Sequence, residues 1–141
     1  MFDEKTEKSR KIANKFLEVM FKGDPKAFVS LFEGDDAGWK VLGQNEGFPV
    51  ARKYAPTEIS ELYKAISPSA AKGGRADILG VYADGDRAFV EIHAKAISVS
   101  GKAYDNRVLF SIHTGETGIL LIEEYLDTRH LHELISDTDA T

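Results

Sequence analysis

The chain has 141 residues, a formal charge of −5 and no cysteine. That length fits one domain, and 43% hydrophobic residues are enough for a core of ordinary size. Disulfides, thiolate metal sites and cysteine nucleophiles are excluded, no apolar run approaches the ~20 residues of a membrane span, and Lys and Arg are scattered rather than gathered as nucleic-acid binding requires. Met1 to Lys5 shows no basic start followed by an apolar stretch, so no secretory signal is expected and a cytoplasmic address is the default.

The first segment is helical, because Ile12, Ala13, Phe16, Leu17, Met20 and Phe21 recur at the 3.6-residue period, with Gly23 ending it. Asp24-Pro25 restarts a short helix, with Asp24 as N-cap and Pro25 in the first turn; Phe28, Leu31 and Phe32 give it a buried face. Trp39, Val41 and Leu42 read as a short strand. Pro56-Thr57 opens a third helix with Ile59, Leu62, Tyr63 and Ile66 on one side, closed by Ser67-Pro68, and Gly73-Gly74 reads as a joint.

Beyond that joint the period falls from 3.6 to 2. Strands are expected over Ile78 to Ala83, Arg87 to Ser100, Tyr104 to His113 and Ile119 to Asp127. Asp84-Gly85-Asp86, Ser100-Gly101-Lys102 and Thr114 to Gly118 turn the chain between them. Short turns imply an antiparallel meander, and helices followed by a meander read as α+β. Residues 1–135 are expected to form the domain and 136–141 a frayed polar tail.

Three segments carry a family resemblance: Gly80-Val81-Tyr82-Ala83-Asp84-Gly85-Asp86-Arg87-Ala88-Phe89-Val90-Glu91, Gly101-Lys102-Ala103-Tyr104-Asp105-Asn106, and Glu123-Glu124-Tyr125-Leu126-Asp127-Thr128. Together with Trp39 to Gly43 and Lys53-Tyr54, they resemble the nuclear transport factor 2-like superfamily, in its SnoaL-like polyketide cyclase and ketosteroid isomerase-related branch. The resemblance implies a cone: three N-terminal helices over a curved antiparallel sheet that encloses a pocket. It also implies a homodimer formed through the outer sheet face.

Alternation sorts the strand residues into two faces. Phe89, Glu91, His93 and Lys95 share one, and Val90, Ile92, Ala94 and Ala96 the other. Asn106, Val108, Phe110 and Ile112 go together, as do Glu123, Tyr125 and Asp127, leaving Ile122, Glu124 and Leu126 opposite. Periodicity does not say which face looks inward; the resemblance points Glu91, His93, Asn106, Tyr125 and Asp127 into the cone. Asp127 then resembles the closing acid of the cyclase and epoxide hydrolase branch, a general base or acid; its other reading is a cap on the C-terminal turn. His93 is a candidate proton shuttle, or a half-exposed strand histidine without a task. Asn106 and Tyr125 would hold a substrate oxygen, Glu91 or Asp127 would orient His93, and Trp39 and Phe110 would line the wall or simply fill the core.

Two departures narrow the activity. Glu91-x-His93 stands where the epoxide hydrolases carry Arg-x-Asp, which argues against epoxide opening. Phe16, Leu17 and Phe21 occupy the helix on which the steroid isomerases carry their tyrosine. Gly80 and Gly85 lack the Lys-Ser/Thr of a phosphate loop, Ser98 and Ser100 lack a nucleophile's context, and His130-Leu131-His132 has no third ligand. The expectation is a cofactor-independent and metal-free isomerase, cyclase or dehydratase acting on a small apolar carbonyl compound. Its alternative is a non-catalytic small-molecule binding or dimerisation domain.

Overall fold

A computed structural model describes residues 3–22, 24–59, 72–97 and 101–139. Helix α1 spans Glu4–Lys22 and α2 spans Pro25–Val29. Strands follow as β1 (Gly38–Val41), β2 (Lys53–Tyr54), β3 (Lys72–Asp84), β4 (Arg87–Ile97), β5 (Ala103–Thr114) and β6 (Ile119–Tyr125), and helix α3 (Thr128–Asp139) closes the chain. The third expected helix beyond Ile59, the Gly23 stop, and Ser98 to Ser100 lie outside the described residues. Helix α3 carries its backbone into the stretch expected to be a tail.

The helix starts follow from local chemistry. The Asp24 carboxylate accepts the Lys26 and Ala27 amides at 3.1 and 3.3 Å, and Pro25 gives up an N–H that would have no partner there. On α1, Ser9, Ala13, Phe16 and Leu17 are buried along one stripe. Ser9 anchors it through its hydroxyl, which donates to the Gly85 carbonyl at 2.6 Å and meets Thr114 Oγ1 at 2.7 Å. Gly85 itself sits at φ +59 between β3 and β4, the left-handed region that a tight hairpin turn demands.

The sheet is curved, unclosed and ordered β2-β1-β6-β5-β4-β3. Strands β3 to β6 form the expected antiparallel meander. β1 pairs parallel with β6, so the sheet is mixed at that one seam. Gly73-Gly74 falls inside β3, where a register irregularity between Lys72 and Arg75 absorbs the glycines. The fold class is α+β, with the helices on the side of the sheet that carries the core.

That inner side decides everything downstream. Ala88, Val90 and Ile92 of β4, Val108, Phe110 and Ile112 of β5, and Ile122 of β6 are all buried. Phe16, Trp39 and Phe110 form an aromatic knot, with both ring pairs to Phe110 at 5.3 Å and edge-on. Phe28 joins from α2, 5.8 Å from Trp39. Edge-to-face packing of this kind adds about 1 kcal/mol per pair to the area buried.

Candidate functional site

Glu124 departs furthest from what its residue type demands. It lies on the inner face of β6, with Ile122 two residues before it. Parallel pairing sets Trp39 beside Ile122 and Val41 beside Glu124, so the Trp39 indole runs along the same face. Its Nε1–H donates to Glu124 Oε1 at 2.9 Å. Burial raises the Glu124 carboxyl from 4.5 to about 7, and the Trp39 hydrogen bond offsets only part of that rise. The residue as a whole is only partly buried, while its carboxyl is enclosed.

Tyr104 and Asn106 stand on the inner face of β5. The Tyr104 phenol is pushed above its ordinary range, first by burial, then by the negative charge of Glu124, against a hydrogen bond shared with the Asn106 side chain. It therefore stays a neutral O–H donor at any physiological pH. Asn106 is buried and tied on two sides: its amide donates to the Asp127 carbonyl at 3.1 Å, and its Oδ1 accepts the Asp127 N–H at 3.0 Å. The His130 ring of α3 stacks on Tyr104, with centroids 5.5 Å apart and planes 12° from parallel. His130 Nε2 accepts the Asp105 N–H at 3.0 Å.

The other expected site residues lie elsewhere. Asp127 is exposed, and its carboxylate accepts the His130 N–H at 3.1 Å as the N-cap of α3, the second of the two roles read from the sequence. His93 sits on the outer face of β4 and pairs with Asp105 at 2.5 Å; that bond holds the Asp105 carboxyl below its usual range. Glu91 shares that outer face, and Tyr125 is 48% exposed on the outer side of β6. The alternation was sorted correctly, but the face assigned to Glu91, His93 and Tyr125 is corrected. The reason is packing: Val90 and Ile92 belong to the apolar set, that set meets the helices, and Glu91 and His93 must then point away. Trp39 and Phe110 pack together on the inner side, and Asn106 is buried on that same side of β5.

Glu124 and Tyr104 are not among the site residues expected from the sequence. The signal was present for Glu124, which shares its alternate set with Ile122 and Leu126, an acid among aliphatic neighbours. Among the described residues no group of three or more His, Asp and Glu side chains is placed to hold a metal ion. No described helix is long and apolar enough to cross a membrane.

No family model and no curated relative matches the sequence. Solved structures do match, over nearly the whole chain. A Burkholderia pseudomallei protein described as NTF2-like superposes with a TM-score of 0.77 at 13% identity, covering 92% of this chain and 98% of its own. The chain has the nuclear transport factor 2-like fold. PrhC from Penicillium brasilianum matches with a TM-score of 0.78 at 17% identity, covering 97% of this chain and 91% of its own. TerC, co-crystallised with polyporic acid, matches at 0.75 and 17% identity, covering 92% and 98%. Identities this low speak for the NTF2-like fold alone.

Proposed function

We propose that this NTF2-like chain is a cofactor-independent acid–base enzyme that isomerises, cyclises or dehydrates a small apolar carbonyl compound, with Glu124 as its proton carrier. The observation that carries the reading is the buried Glu124 carboxyl, raised to about 7 beside a phenol that stays neutral. A group poised there exists in both protonation states near neutral pH, as general acid–base catalysis requires. The Glu124 carboxylate would take a proton from the carbon next to a carbonyl. The Tyr104 O–H would donate to the oxygen as it gains negative charge, and Glu124 would return the proton at another position. Preorganised donors of this type act most strongly where water is excluded. Asn106 lies on the same face of β5 as Tyr104, while Trp39 and Phe110 would supply apolar walls for a substrate without charge.

TerC, a structure of this fold, was co-crystallised with polyporic acid, which supports the small-molecule part of the reading. A second reading, ligand binding without turnover, has its own support in the aromatic knot of Phe16, Trp39 and Phe110. A homodimer through the outer sheet face keeps a weaker basis than the sequence suggested, because Val90, Ile92 and Ala96 turn out to be core. A cytoplasmic setting belongs to this reading on composition alone.

The test is hydrogen exchange at carbon. A panel of apolar ketones and enones is incubated with the protein in deuterated water and followed by proton NMR. Glu124-dependent exchange, reduced about a hundredfold or more in Glu124→Gln, is the expected result. Saturable binding of a panel compound without exchange would replace catalysis by the binding reading.

A further inference from the structure

Among the described residues strand β3 ends the sheet, and between its two register irregularities, Lys72/Arg75 and Ile78/Gly80, a regular stretch runs from Arg75 to Ile78. Its side chains are open to solvent: Arg75 and Asp77 are 64% and 54% exposed, and Ile78 is 51% exposed. An edge with exposed apolar residues is a template for another strand, and natural proteins blunt such edges with bulges and charges. Here the bulges bracket the regular stretch, and the charges within it are of opposite sign.

That charge order is self-complementary. Arg75 and Asp77 project from the same face, with their charged groups 3.6 Å apart. We propose that β3 pairs antiparallel with β3 of a second copy of this chain, centred on Ala76. In that register Ala76 faces Ala76, Arg75 faces Asp77 of the second copy, and Asp77 faces its Arg75. Two intrachain neighbours become a ring of four alternating charges, and the small alanine at the centre lets the backbones close. Opposite charges directly across antiparallel strands favour a register, and like charges disfavour it. A two-fold contact of this kind uses the same patch on both copies. The contact runs along the strand edge rather than face to face, although Arg75 and Asp77 project on the outer side, opposite Lys95 and His93; it is separate from the Glu124 site.

Sedimentation of the full chain over a concentration series tests it. Wild type self-associates, and high salt weakens the association because the charges at this edge are exposed. Asp77→Lys sets lysine against Arg75 on both sides and weakens association about tenfold or more. Exchanging the charges, Arg75→Asp together with Asp77→Arg, restores it. Tyr125→Glu, on the outer face, leaves it unchanged. A wild type that stays monomeric throughout overturns the proposal. So does an Asp77→Lys variant that associates like wild type, an exchanged variant that fails to recover while keeping its circular dichroism, or a Tyr125→Glu variant that dissociates.

Discussion

Glu123 and Glu124 are neighbours in the chain and belong to opposite sides of the sheet. Glu123 points outward, half-buried, and meets His113 Nε2 at 2.7 Å across the β5–β6 ladder. Glu124 points inward, meets an indole N–H, and is raised to about 7. The residue type is identical and the backbone continuous, so the difference comes from what each face packs against. The His113 imidazole meets one carboxylate at a part-exposed surface; the Trp39 indole meets the other where it is buried. Strand alternation thus turns a dipeptide into one surface acid and one buried acid, and burial gives Glu124 a proton affinity suited to chemistry at neutral pH.

The comparison is sharpened most strongly by cutting apolar side chains on the two faces. Phe110→Ala empties part of the aromatic knot and is expected to cost about 4 kcal/mol in chemical denaturation. Leu109→Ala, one residue away on the outer face, is expected to cost about 1 kcal/mol or less. Similar losses at the two positions would erase the distinction between faces.

Next comes Glu124→Gln, which keeps an acceptor for the Trp39 N–H and removes the charge. Its sign follows from linkage. The folded-state pKa lies above the ordinary value of 4.5, so the folded chain binds more protons than the unfolded chain between 4.5 and about 7. Wild-type stability therefore falls as pH rises through that window. Glu124→Gln is expected to be more stable by about 3 kcal/mol above the window and equal to wild type below it. Denaturation midpoints measured on both sides of the window check this; a variant less stable than wild type at alkaline pH would break the account. Smaller effects follow at the rim. Asp127→Ala removes the α3 cap for about 1 kcal/mol, and Asp127→Asn is close to neutral. Glu123→Gln changes stability by about 1 kcal/mol at most, as expected of a partly exposed pair.

Much of the fold was legible in the sequence. The Asp24-Pro25 cap, the Gly85 hairpin and the four-strand meander are each written in a few adjacent residues whose backbone preferences leave little choice. The seam between β1 and β6 was not legible, because parallel pairing joins residues about eighty positions apart and leaves no local mark. The site was read in part. Alternation grouped the correct residues but carries no sign, so Glu91, His93 and Tyr125 went to the wrong face until packing chose the inner one. Asp127 drew attention as a strand-end acid, where its two roles look alike in sequence. Glu124 stood among aliphatic neighbours, yet its meaning depends on Trp39, which only the tertiary fold brings within 2.9 Å.

Trp39 is the chain's single tryptophan, and it donates to the carboxyl on which the account rests. Its fluorescence followed against pH, in wild type and in Glu124→Gln, is therefore the most direct measurement. The account predicts a wild-type transition with a midpoint near 7 that is missing from Glu124→Gln. A Glu124-dependent midpoint near 4.5, or the same transition in both proteins, would contradict it.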